Sequence, residues 1–164
     1  MGRGESLQIF PLKTQRGLVQ ISFLGIPARP GATRPLFDLL ERHGVPLKFL
    51  IEGFTDSASR DLVICISGEA IARLELELNE VKTRMQSRDM VIQQPVAVVR
   101  MLGPHFDIRP GTSGLLFSAL AQARIPVYSN ATTATSSLCV IPDDQAEAAE
   151  RAISRVFEIP RGKK

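Results

Sequence analysis

The segment Arg29-Pro30-Gly31-Ala32-Thr33 stands where an apolar, β-branched run gives way to an amphipathic one. Glycine at such a junction lets the backbone come close to a ligand. The first amides of the helix that follows have no partner inside it. Together these features suit an anion, and Gly31, Ala32 and Thr33, preceded by Arg29, are the candidates to hold a carboxylate. A free amino acid needs such a cradle, plus oxygen acceptors for its ammonium. The plain structural alternative is that Pro-Gly only makes the turn and starts the helix.

Other residues capable of chemistry do not assemble into a catalytic set. His43 falls at a helix end and His105 in a loop, and both are expected to be solvated. His105, Asp107 and Arg109 share one short loop, where near neighbours seldom converge. Asp143-Asp144 suits a helix start, with Asp143 as the N-cap. Cys65 in "LVICIS" and Cys139 in "SLCVIP" occupy corresponding parts of the chain and read as buried, reduced thiols. There is no CxxC, HxxxH or HExxH spacing, so no metal site is expected. There is also no GxSxG, no GxxxxGK[ST] and no GxGxxG after a strand. The expectation is a protein without a catalytic site or a cofactor.

The phrase "RPGATRPLF" at 29–37 returns as "RPGTSGLLF" at 109–117, an offset of 80 residues. Between 29–47 and 109–127, seven of 19 positions are identical, where unrelated segments share roughly one. This is an internal duplication, and its period exceeds that of solenoid repeats, so it implies two copies of a small domain. Each copy is near the lower size limit for burying its own core, which favours a homodimer or another partner. A net charge of +3, with scattered Lys and Arg and no Trp, gives no nucleic-acid signature. No apolar run is long enough to span a membrane, and the N-terminus lacks a signal peptide's apolar stretch. A cytoplasmic location is expected.

The elements that must position the phrase follow from periodicity. Val19–Leu24 reads as a strand, and a helix runs from Pro30-Gly31 to Gly44 with Leu36, Phe37 and Leu40 on one face. Pro46–Ile51 is a second strand, "EGFTDSASR" a polar loop, and Leu62–Ser67 a third strand. Ile71, Leu74, Leu78, Val81 and Met85 mark an amphipathic helix, and Met90–Gln93 a fourth strand. The second copy repeats the order with strand Val96–Met101, helix Thr112–Ala123, strands Val127–Asn130 and Ser137–Ile141, and a helix from Asp143. That last helix places Ala146, Ala149, Ile153, Val156 and Phe157 on one face. "EIPRGKK" is too short and polar for a further strand, whereas Leu7–Leu12 is strand-like, so it is expected to complete the second sheet. The fold class is α+β, with two ferredoxin-like β-α-β-β-α-β units, antiparallel sheets and helices on one face.

At this point the residues carry a family resemblance. "LGIPARPGATRPLFDLLERHGVPLKFLI" and "MLGPHFDIRPGTSGLLFSALAQARIPVYSNATTATSSLCVIPDDQAEAAERAI" resemble the first and second ACT domains of the aspartate kinase regulatory region. The resemblance covers about residues 7–157. It implies a first ACT domain at 17–93, inserted within a second made of 5–14 plus 94–160. No KFGGTS-like motif precedes residue 7, so the resemblance is to a stand-alone regulatory region without the kinase domain. That region binds lysine, threonine or both between paired ACT domains. The family's Asp and Gln on the strand after the first helix align with Lys48 and Glu52. An ammonium in place of a carboxylate is the wrong charge for lysine or threonine held in the usual way. Lys48 and Glu52 either meet a ligand or pair with each other. In the second copy Asn130 and Thr132 lie near the family's effector contacts, after Tyr128 where the family has Lys. The implied function is amino-acid binding and regulation, as a homodimer or with a biosynthetic enzyme. The alternatives are a docking module with degenerate sites, or a separate subunit or fragment of aspartate kinase.

Overall fold

The structure, a computed structural model, describes residues 7–8, 12–103 and 111–158. Its elements are β1 (Leu7–Gln8), β2 (Leu12–Pro27), α1 (Arg34–Arg42), β3 (Phe49–Phe54), β4 (Ser59–Ser67) and α2 (Gly68–Arg84). They continue with β5 (Asp89–Leu102), α3 (Thr112–Gln122), β6 (Ser129–Thr132), β7 (Ser136–Pro142), α4 (Ala146–Val156) and β8 (Phe157–Glu158). The chain forms two compact units. One is Gly17–Val96; the other comprises the described residues up to Arg16 and those from Ala97 onward. The architecture is mixed α and β, with helices on antiparallel sheets.

In the Gly17–Val96 unit the strand order is β3-β4-β2-β5. β4 runs antiparallel to both neighbours, with Ile64 opposite Ile21 on β2 and opposite Leu50 on β3. Successive strand residues face opposite sides of a sheet. Val19, Ile21 and Phe23, with Leu62, Ile64 and Ile66, therefore share one side and form a single core with α1 and α2. On α2 the expected apolar face is real: Leu74, Leu78, Val81 and Met85 are buried and Ile71 packs against them. The helix starts at Gly68, three residues ahead of that face, where a side chain would collide with β2. A Cβ at Gly68 would stand 2.7 Å from the Gly17 carbonyl oxygen. On α1 the buried set is Leu36, Leu39 and Leu40, whereas Phe37 is 37% exposed. The i, i+3, i+4 spacing thus replaces the expected i, i+1, i+4.

In the other unit Ala97, Val99 and Met101 of β5 join Cys139 and Ile141 of β7 under α3 and α4. Asp143 does not cap α4. A turn of 3-10 helix occupies Asp143–Gln145, and Gln145 is the N-cap residue. The Asp143 carboxylate instead accepts from Arg16, at 3.1 and 3.2 Å. The last helix ends at Val156, which is exposed, and Phe157 turns extended while keeping its ring in the core. Phe157–Glu158 is the terminal strand that the polar tail gave no reason to expect, and it pairs in parallel with Leu7–Gln8. β5 runs unbroken from Asp89 to Leu102, joining the expected strands Met90–Gln93 and Val96–Met101 into one. No helix among the described residues is long and apolar enough to cross a membrane.

Candidate functional site

The repeated phrase begins where β2 ends. The Ala28 amide donates to the Ala58 carbonyl at 2.8 Å and the Arg29 amide to that of Pro27 at 2.8 Å. Gly31 then takes φ +74, and in the second copy Gly111 takes φ +91. Both lie in the left-handed region that glycine enters without strain, so the local reason for Pro-Gly is the same twice. Thr33 is the N-cap of α1 but makes no side-chain cap bond.

The expected carboxylate cradle is only partly available. The Ala32 amide donates to the Arg29 carbonyl at 3.3 Å and the Arg34 amide to that of Gly31 at 3.1 Å. Pro35, in the first turn of the helix, has no amide to offer. Gly31 and Thr33 keep amides with no acceptor among the described residues. The Arg29 side chain turns to the end of α2, donating to the Gln86 side chain at 3.2 Å.

Lys48 and Glu52 lie one element later, before and on β3. The Lys48 amide donates to the Cys65 carbonyl at 2.9 Å, extending the ladder, while its half-buried side chain has no ion pair among the described residues. Glu52 does not pair with Lys48. Its carboxylate accepts from Arg60 Nη1 at 3.0 Å across the β3–β4 hairpin. The Arg60 guanidinium also lies 4.9 Å from the centroid of the Phe54 ring. Glu52, Gly53, Phe54 and Arg60 line one small pocket. No hydrogen bond or ion pair among the described residues joins the 29–33 turn to Lys48 or Glu52.

The expected polar loop "EGFTDSASR" is instead the tip of a hairpin, with Phe54 on β3 and Arg60 on β4. The signal available was hairpin symmetry around Asp56. Its carboxylate accepts from the Ala58 and Ser59 amides and the Ser59 hydroxyl, at 2.7 to 2.8 Å. The Ser59 hydroxyl bond, ahead of the Ala58 amide, holds that carboxyl below its usual range. A tight turn there brings Glu52 and Arg60 into neighbouring cross-strand positions.

Asn130 and Thr132 belong to the other unit, on β6. Asn130 is opposite Cys139, and the Thr132 hydroxyl lies 2.9 Å from that of Ser137. By the 80-residue offset they occupy the positions that Leu50 and Glu52 hold on β3. His43 is not simply solvated: its Nε2 lies 2.6 Å from Glu77 Oε1 on α2. His105, Asp107 and Arg109 lie outside the described residues.

The ACT domain family profile matches residues 99–157. Over 148 residues the chain is 26% identical to the aspartokinase of Thermus thermophilus, an alignment covering 87% of this chain and 35% of that protein. The chain therefore spans about a third of the length of the curated relatives it matches. Among solved structures, it is similar to the regulatory subunit of aspartate kinase from Thermus thermophilus in its ligand-free form. The TM-score is 0.78 at 21% identity, covering 94% of this chain and 100% of that one. The corresponding subunit from Thermus flavus gives a TM-score of 0.80 at 22% identity, with the same coverage.

Proposed function

We propose that this chain, which has the fold of the aspartate kinase regulatory subunits and an ACT domain at 99–157, is a non-catalytic regulatory protein that binds a free amino acid. The observation that carries the reading is the extent of the likeness. It takes in all of both regulatory-subunit chains and nearly all of this chain. In this reading the first ACT domain, 17–93, is inserted within the second, 5–14 plus 94–160. The residues that bind the effector are drawn from Arg29, Gly31, Ala32, Thr33, Lys48, Glu52, Asn130 and Thr132. The side chain of Lys48, charged and without an ion pair, favours an acidic amino acid over lysine.

The assembly in this reading is a homodimer in the cytoplasm, with a biosynthetic kinase as the further partner. β3 ends the strand order of its unit, and Leu50, Ile51 and Phe54 are exposed along it. An open, apolar edge strand is suited to pairing with a second copy. Sedimentation measures this directly, and a monomer of about 18 kDa with and without amino acids removes the dimer.

A second reading, a docking module with a degenerate site, is favoured by the engagement of Glu52 with Arg60. A thermal-shift screen with each free amino acid separates the two, because a ligand specific to the native state raises Tm. A third reading, a separate subunit or fragment of aspartate kinase, requires that the chain alter the activity of an aspartate kinase catalytic chain supplied in trans.

A further inference from the structure

The two copies carry the same helix with opposite surfaces. By the offset of 80 residues, Arg34, Pro35, Asp38, Glu41 and Arg42 of α1 correspond to Gly114, Leu115, Ser118, Ala121 and Gln122 of α3. All five residues on α3 are exposed, Leu115 by 44%. Four charged side chains of α1 thus have neutral counterparts, and α3 carries no charged residue from Thr112 to Gln122. Loss of charge around an exposed apolar side chain marks the core of an interface, not a solvated face.

The groove beside that face differs between the copies too. In the Gly17–Val96 unit, α1 and α2 meet through the buried Leu39 and through Glu77, which lies 3.0 Å from Arg42 and 2.6 Å from His43 Nε2. The counterparts of Leu39, Arg42 and His43 on α3 are Ala119, Gln122 and Ala123. Hairpin register supplies the counterpart of Glu77. Phe49 faces Cys65 and Ser129 faces Val140, and the same shift carries Leu74, Glu77 and Leu78 onto Ala149, Ala152 and Ile153 of α4. Leu74 and Leu78 lie in one core and Ala149 and Ile153 in the other, as that shift requires. With shorter side chains at these positions, a cavity of about 290 Å³ lies between α3 and α4, lined by Ala119, Gln122, Ala123, Ala152, Arg155 and Val156.

We propose that a second copy of this chain covers this face, with the two α3 helices crossing antiparallel about a two-fold axis beside Ser118 and Leu115 of each copy seated over the α3–α4 cavity of the other. One helix supplies both halves of the contact. Leu115 and Gln122 are two turns apart and share a stripe of α3. A two-fold axis midway between them sets each against the other in the facing copy. Ser118 and Ala119, at the axis, are small enough to let the helices approach closely. Charge favours a second copy as the occupant. Beside a two-fold axis a side chain meets its own like, so a charged face repels itself and a neutral one does not. The same crossing on α1 would set Asp38 beside its own copy. This surface and the β3 edge belong to different units, and neither edge pairing nor amino-acid binding is needed for it.

The test is sedimentation equilibrium of the full chain carrying Ile51→Lys, which charges the β3 edge and isolates the α3 pair. A dimer is expected. Adding Ser118→Asp sets two like charges at the axis and is expected to weaken pairing about tenfold or more. Mixing that chain with Ile51→Lys carrying Ser118→Lys is expected to restore the dimer, which a loss of folding cannot imitate. In an otherwise wild-type chain, Ser118→Cys is expected to form a disulfide-linked dimer under mild oxidation, because the axis brings the residue against itself. Three results each overturn the α3 pair: an Ile51→Lys chain that melts cooperatively but is monomeric, a Ser118→Asp chain that pairs as tightly as its parent, or a Ser118→Cys chain that does not cross-link. A wild type that dimerises all the same then does so through the β3 edge, and that reading survives.

Discussion

His43 Nε2 lies 2.6 Å from Glu77 Oε1, joining the end of α1 to the middle of α2, and Arg42 reaches the other oxygen of the same carboxylate at 3.0 Å. The His43 hydrogen bond, ahead of Arg42, holds the Glu77 carboxyl below its usual range. A carboxylate with a lowered folded pKa adds stability above its unfolded pKa, and that contribution disappears as pH falls through the folded value. The Tm difference between wild type and Glu77→Gln is therefore expected to be largest near neutrality and to close on acidification below about pH 4. A difference that is independent of pH removes the ionic origin of the contact.

Gly68→Ala is expected to destabilise the chain by about 1–3 kcal/mol, because the new methyl must displace the backbone of β2 rather than a flexible side chain. Gly114→Ala is the internal control. It lies in α3 with nothing within 4 Å of the added Cβ and no left-handed φ, so a gain of about 0.5–1 kcal/mol is expected. Urea denaturation of the two variants gives both signs in one experiment.

The thiols should be silent in the native protein. Burial pushes Cys65 up to about 12 and Cys139 up to about 11, the latter despite a hydrogen bond with Ser137 that acts the other way. The thiolate is the reactive form, so an aromatic disulfide reagent at neutral pH should label neither cysteine until the chain unfolds. Both folded values lie above the unfolded one, so the unfolded state gives up protons first. Stability should fall as pH rises above about 9, and Cys65→Ala should flatten that fall. Rapid labelling of the native protein would contradict the burial of either thiol.

Lys48→Asp is expected to abolish binding of an acidic amino acid and to favour lysine or threonine, since it reverses the charge beside β3. Losing one charged partner in a partly buried site costs about 2–5 kcal/mol, which calorimetry resolves easily. Unchanged preferences would mean that Lys48 points away from the ligand.

How much the sequence disclosed depended on the kind of signal. The fold class was legible because apolar periodicity is dense: four residues of α2 at helical spacing, with Met85 just past its end, mark its face. The cysteines show the limit. They sit in matching apolar runs on β4 and β7, yet Cys139 joins the helix-covered core while Cys65, between Ile64 and Ile66, faces the other side. A one-residue shift in alignment decides the face, and composition cannot see it. Glu52 and Arg60 failed differently. Their relation is set by hairpin register across a polar turn, where alternation of hydrophobicity fades and only the turn chemistry of Asp56 and Ser59 marks the fold-back. Likewise, which first-turn amides stay open at Gly31 depends on backbone bonds that residue identity does not specify.

The division of the chain at Arg16/Gly17 and Val96/Ala97 has a consequence for how the molecule is made. During synthesis the whole of Gly17–Val96 leaves the ribosome before any of α3, β7 or α4 emerges. That unit holds every residue of its own core and is free to fold at once. The other unit must wait until α4 and Phe157 have emerged, holding its early strand residues, Leu12 among them, without their partners. Its ends are then brought together by a folded insert instead of a flexible loop of 80 residues, which reduces the entropy of closure. Birth order is thus written into the chain: the half that lies between the two segments of the other can fold first.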